Sequence, residues 1–333
     1  MRRPKSLMRR HLLTIAVILA GAPGCDNVAF GGASMEVVPP PMVIDTTEAA
    51  DAAEQRPVNV HAPVLLAGVR DGLRATLTVV GEVDGDVLRP FPHPDFPDDT
   101  TRLAGLTAPG SEWTLFSEGV RVGRLVTETA RAADGYCGTR TSVTGVVELV
   151  PSAAAAERLL ALPPADGAAR DYGAYQELAH VYDQRVASLE IAQEAIPAHN
   201  ATWPRLGVLD ARKHIQAFDI GGAPGPFVAA TFMYQDSLAI TPPGQGAYAL
   251  FVIGEQVGAA HEAAFVWYRA VDTDGKGAPR YFDHLDWDGD GNEEILVDVF
   301  GSNRRWFAGV ARRGGTWERT FQDACGAGST AGR

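Results

Sequence analysis

Asp286-Trp-Asp288-Gly-Asp290-Gly-Asn292-Glu-Glu294 is the stretch in which side-chain type and spacing spell out a chemistry most directly. Carboxylates stand at positions 1, 3, 5 and 9 of the run, Gly291 at position 6 permits a sharp bend, and Asn292 at position 7 offers a backbone carbonyl. Calcium takes about six to eight oxygens, and a loop with acids at alternate positions can fold round it. Without a cation the four carboxylates repel one another. The competing reading is an acidic surface turn, since Asp-Gly pairs are ordinary turn formers.

Other site chemistries leave no comparable trace. There is no His-Glu-x-x-His pair, no Gly-x-Ser-x-Gly elbow, no phosphate-cradling glycine loop and no Cys-x-x-Cys, so no catalytic residue is assigned. His61, His93, His180, His199, His214, His261 and His284 are scattered without ligand spacing. His284 lies beside the acidic loop and reads as the cap of a turn; the alternative is a pKa raised by Asp283 and Asp286.

The elements flanking the loop decide which kind of calcium loop it is. A helix-loop-helix hand needs an acid at position 12, which here is Val297. Ile295, Val297 and Val299 instead alternate with Leu296, Asp298 and Phe300, as in a strand. The segment from Leu285 to about Phe321 therefore resembles an FG-GAP or VCBS-type repeat, a calcium-loop-plus-strand unit found in integrin α-chain propellers and in exported bacterial proteins. The resemblance implies calcium on Asp286, Asp288, Asp290, Asn292 and Glu294, with glutamate at a ninth position more often held by aspartate. Asp272-Thr-Asp274-Gly275 reads as a decayed second copy that lacks the third and fourth acids.

Strand signals dominate the rest. Arg74–Val80 and Thr141–Val150 read as strands, and Val83-Asp-Gly-Asp-Val87 and Trp113–Thr127 as hairpins, the latter turning at Ser117-Glu118-Gly119. Pro226–Tyr234, Ala247–Val257, Ala263–Val271, Glu294–Phe300, Arg305–Ala311 and Thr316–Gln322 follow, the last two joined at Arg312-Arg-Gly-Gly315. Between these groups, Ala153–Leu160 and a longer run from about Ala168 to Ile196 carry helix signals, with Tyr175, Leu178, Tyr182, Val186 and Leu189 on one face. The expected fold is mainly β, with antiparallel sheets forming a partial propeller-like arrangement or a sandwich, and one long central helix. The expected divisions are an N-terminal β region over 61–150, a helical segment over 151–200 and a C-terminal β region over 201–325.

The first 24 residues read as an export signal, with Arg2, Arg3, Lys5, Arg9 and Arg10 preceding the apolar run Leu12–Ala22. Ala22-Pro-Gly-Cys25 resembles a bacterial lipoprotein box, which implies lipidation of Cys25; the alternative is a secreted soluble protein. Residues 25–60, with three consecutive prolines, then read as the lipidated cysteine and a flexible tether. Lipidating Cys25 leaves Cys137 and Cys325 as a pair for a disulfide in an oxidising compartment.

Without the signal's five basic residues the chain keeps 24 Lys+Arg against 41 Asp+Glu, about −17, which disfavours nucleic acid and anionic membrane surfaces as partners. These features point to an extracytoplasmic calcium-binding lipoprotein of the cell envelope, non-enzymatic, with an unidentified protein or glycan partner. The alternative is an exported hydrolase-type enzyme whose fold calcium supports.

Overall fold

The computed structural model describes residues 61–93, 95–167, 173–258, 260–271, 275–323 and 325. The chain divides into two units, Met1–Asn59 and Val60–Arg333, and the described residues all belong to the second. The signal segment, Cys25, the tether and Asp272-Thr-Asp274 lie outside them.

The architecture is mainly antiparallel β. Strands β1 (Val64–Asp71), β2 (Arg74–Asp84), β3 (Val87–Arg89), β4 (Glu112–Ser117), β5 (Val120–Ala133), β6 (Arg140–Leu149) and β7 (Arg158–Leu162) form one sheet in the order β1-β7-β4-β5-β6-β2-β3. Because β1 also pairs with β2 along its whole length, six of these strands close into a barrel with β3 hanging from its seam. Closure removes the exposed edges that an open sheet would present.

Neighbouring residues on each barrel strand point to opposite faces. Leu66, Leu77, Trp113, Leu115, Leu125, Val143 and Leu159 fill the interior, where Leu103 and Leu106 of helix α1 (Pro97–Leu106) join them. Leu65, Ala67, Val80, Phe116, Leu160 and Leu162 face outward and are buried too, against Phe282, Leu285, Trp287, Leu296 and Phe307. A wall covered on both sides reads as continuous apolar sequence, with little alternation.

Two further four-stranded meanders follow in chain order. The first is β8 (Arg212–Phe218), β9 (Phe227–Tyr234), β10 (Tyr248–Val257) and β11 (Ala260–Ala270); the second is β12 (Ala278–Leu285), β13 (Glu294–Phe300), β14 (Arg305–Arg313) and β15 (Thr316–Gln322). The meanders pack on each other through Phe251, Ile253 and Trp267 against Ile295, Val297, Val299 and Trp306. The outer face of the first meander is covered by helix α2 (Tyr182–Ala198), whose Ile191, Ala192 and Ile196 meet Ala230, Phe232, Leu250 and Val252. Strand β13 is buried throughout, with its odd-numbered residues toward the first meander and Leu296 toward the barrel.

The structure departs from the expected elements in the middle of the chain. A long helix beginning near Ala168 is not shown: α2 starts at Tyr182, and 173–181 hold no regular element. The side chain of Gln184 accepts from the Val181 amide (2.9 Å) and fixes the start there, while Tyr175 packs on the barrel core. The expected helix over Ala153–Leu160 is a single 3-10 turn, Pro151–Ala153, followed by β7. Leu159–Leu162 fill the seam between β1 and β4, and pairing there outweighs the modest helix preference of the preceding alanines. A propeller is not shown either: the N-terminal strands close into a barrel, and the strands after Trp203 form two four-stranded sheets packed on each other.

Cys137, on the β5–β6 loop, and Cys325, beyond β15, lie at disulfide-bonding distance with Cα atoms 5.8 Å apart. Among the described residues no helix is long and apolar enough to cross a membrane.

Candidate metal centre

The acidic run is the connection of the β12–β13 hairpin, whose last pair is Leu285 with Glu294. Positive φ at Gly289 (84°) and Gly291 (92°) lets the connection coil back on itself. Asp286 accepts from the amides of Gly289 (2.6 Å) and Gly291 (3.1 Å), and Asp288 accepts from the Asp290 amide (3.0 Å). Trp287, 1% exposed, anchors the loop in the cluster between barrel and second meander, and its amide donates to Glu294 Oε2 (3.1 Å).

Of the four carboxylates expected to ligate, the structure gathers three. Carboxylate oxygens of Asp286, Asp288 and Glu294 lie within 4.8 Å of one another. Asp290 stands outside this group, its carboxylate accepting from the backbone (2.7 Å) and side-chain amide (3.0 Å) of Asn292, bonds that do not involve the Asn292 backbone carbonyl. Glu294 is 2% exposed; burial, followed by the charges of Asp288, Asp286 and Asp290, pushes its pKa up to about 9. Burial likewise raises Asp288, with Asp290 and Asp286 adding to it. An all-oxygen set of this kind suits a hard divalent cation, and the three gathered carboxylates fit calcium in donor chemistry.

A second group lies where the β4–β5 turn meets β12. Ser117 and Val120 close that turn through Glu118 and Gly119, both at positive φ (49° and 72°). Glutamate is an uncommon occupant of this backbone region, which favours Gly, Asn and Asp. The Glu118 amide donates to Asp283 Oδ1 (3.0 Å), which also accepts from the His284 amide (2.8 Å), and the Gly119 amide donates to the His284 carbonyl (3.2 Å).

The register of β12 slips by one between Tyr281 and Asp283. Residues three apart in a regular strand face opposite ways. The bulge instead puts Tyr281 and His284 side by side, with Tyr281 Oη 2.6 Å from His284 Nδ1.

Oxygens of Glu118 and Asp283 and a ring nitrogen of His284 come within 4.8 Å of one another. Asp283 and His284 are each 1% exposed, yet Glu118 Oε2, Asp283 Oδ2 and His284 Nε2 have no partner of hydrogen-bonding geometry. Each buried polar atom left this way costs about 1–3 kcal/mol. Glu293 Oε2, also without a partner, sits 3.3 Å from His284 Nε2. Burial raises the Glu118 carboxyl, with the Asp283 charge second, and burial raises Asp283 against the pull of its two amide donors. Glu293 is pushed up to about 7, chiefly by burial.

His284 corrects both readings made from the sequence. It is a buried strand residue and caps no turn. Its pKa is lowered to about 4 because burial disfavours the imidazolium, and a weaker backbone contact at Asp219 opposes this without reversing it.

Glu118 also lines a cavity of about 350 Å³ with Ser117, Arg158, Tyr175, Glu177 and Gln216. Sequence reasoning missed the whole group. Its one local signal is a glutamate where a tight turn favours a smaller polar residue; the 165 positions from Glu118 to Asp283 leave no spacing to read.

A scan against protein-family models, a search of curated proteins and a search of solved structures each returned no match for this chain.

Proposed function

We propose that this chain is a calcium-binding module of the cell envelope, held to a membrane through a lipid on Cys25 and engaging a protein or glycan partner without catalysing a reaction. The observation that carries the reading is the convergence of Asp286, Asp288 and Glu294 at the mouth of the β12–β13 hairpin. A cation there offsets the repulsion of three carboxylates and the burial of Glu294, and so pins β13, the strand covered on both faces, against its neighbours. Asp290 completes the set by turning inward and releasing the Asn292 amides, and the Asn292 backbone carbonyl adds a further oxygen. The FG-GAP or VCBS-type likeness draws support from the same hairpin and from the order of its sheet, a simple four-stranded meander entered through the acidic loop.

Thermal unfolding of the purified protein tests this. Calcium at a hundredfold excess over its Kd adds about 2.7 kcal/mol, roughly 5–10 °C for a unit of this size. Chelation should reverse the shift, and Asp288→Asn should abolish most of it. Superimposable melts with calcium and with chelator would remove the structural ion from the account.

A second reading, an exported hydrolase-type enzyme with calcium in a supporting role, draws on one observation. Glu118, which converges with buried Asp283, lines a cavity large enough for a small substrate group.

A further inference from the structure

Apart from the acidic loop, the described residues hold one other group of metal-ligating side chains, the Glu118–Asp283–His284 cluster. Three features set it apart from an ordinary buried polar cluster. Its atoms come from two elements far apart in sequence, the β4–β5 turn of the barrel and the bulged edge strand β12. Its backbone donors are already spent: the Glu118 and His284 amides both go to Asp283 Oδ1, which lies 3.7 Å from His284 Nδ1, and Asp283 Oδ2 is left buried without a donor. Arg158, which shares the cavity, is engaged by Gln216 Oε1 (3.0 Å) and lies over the Tyr281 ring. A single cation held by one atom from each of the three side chains would offset their burial, with Glu293 Oε2 3.3 Å from His284 Nε2 at its border.

We infer that Glu118, Asp283 and His284 form a second metal site, for one divalent transition-metal ion of the zinc class, separate from the calcium loop. Ligand chemistry selects the class. Calcium prefers oxygen alone, whereas an imidazole beside carboxylates suits zinc and its first-row neighbours. Tyr281, bonded to the ring at Nδ1, fixes the imidazole orientation as a supporting partner does in known metal sites. Three protein ligands leave a coordination position for water or a small ligand, and Glu118 alone of the three borders the cavity of about 350 Å³. The left-handed backbone of Glu118 fits the same picture: the turn holds an ill-suited residue because its carboxylate is needed there.

The test is titration of the chelator-stripped protein with zinc chloride by calorimetry, in saturating calcium so that the acidic loop is occupied. One equivalent of zinc should bind to the wild type. Glu118→Gln should weaken binding roughly tenfold or more, and Glu190→Gln, on the exposed face of α2, should leave it unchanged. X-ray absorption of the zinc-loaded wild type gives a reading independent of any variant and should show one imidazole among oxygen ligands. No binding by the wild type, equal affinity in Glu118→Gln, or a zinc shell without imidazole would each overturn the site.

Discussion

Lys276 and Asp236 form a 2.7 Å ion pair whose side chains are 1% and 2% exposed, and Lys276 Nζ also donates to the Ser237 carbonyl (2.9 Å). Stranding one charge of a buried pair costs more than the pair itself contributes. Lys276→Met should lower the unfolding free energy by about 3–5 kcal/mol, and adding Asp236→Asn should recover much of that loss. Urea denaturation of the wild type, both single variants and the double decides it; a double variant no better than Lys276→Met would contradict the argument. The pair shows what is legible at the scale of residues. Asp286, Asp288 and Glu294 could be read together because one loop holds them within nine positions. Lys276 and Asp236, like Glu118 and Asp283, meet only because separate sheets distant in the chain pack against each other.

At the scale of elements, alternation marked the strands with clear turns at both ends. Glu294–Phe300 and Thr316–Gln322 are strands with the expected bounds, while β14 runs past its expected end at Ala311 to Arg313, so that the hairpin to β15 turns at Gly314-Gly315 alone. Strand β12 escaped notice because Pro279 and the bulge at Asp283 break its pattern; both are tolerated because β12 is an edge strand. Barrel closure depends on glycines whose purpose no local pattern reveals. A Cβ at Gly123 would lie 2.1 Å from the Glu148 carbonyl oxygen, and one at Gly68 would lie 1.9 Å from that of Thr76. Strands that curve this tightly need positions without a side chain. Gly123→Ala should therefore destabilise by about 1–3 kcal/mol, as overpacking does, measured as a lowered melting temperature. A melt equal to the wild type would mean that the β5–β6 approach is looser than described.

At the scale of the molecule, the β5–β6 loop of the barrel is tied to the C-terminal strands at several points. Arg305 donates its amide to the Gly135 carbonyl (2.7 Å), the Cys137 amide donates to the Arg305 carbonyl (2.8 Å), and Cys137 meets Cys325. Close by, buried Arg140 pairs with Asp323, whose other oxygen accepts from the Phe307 amide (2.9 Å). A disulfide between Cys137 and Cys325 spans 188 positions. The chain-entropy account puts its contribution at about 4–5 kcal/mol as an upper figure. Cys137→Ser with Cys325→Ser should lower the denaturation midpoint accordingly, with the same loss on adding reductant to the wild type and none in the double variant. A reductant effect of equal size in the double variant would assign the loss to something other than this bond.

The amino-acid sequence by itself determined the β class, most turns and the acidic loop, because each is set by residues within about ten positions of one another. It carried the cysteines as a pair through parity alone. Tertiary structure decided that the N-terminal strands close into a barrel, that Arg158–Leu162 is a strand, and that the long helix shrinks to Tyr182–Ala198. It also decided that the Asp290 carboxylate stands apart from those of Asp286, Asp288 and Glu294 and accepts from Asn292. The reason is common to all of these. Strand pairing and side-chain convergence depend on which distant segments share a face, and the energy of that sharing exceeds the local preferences a linear pattern records.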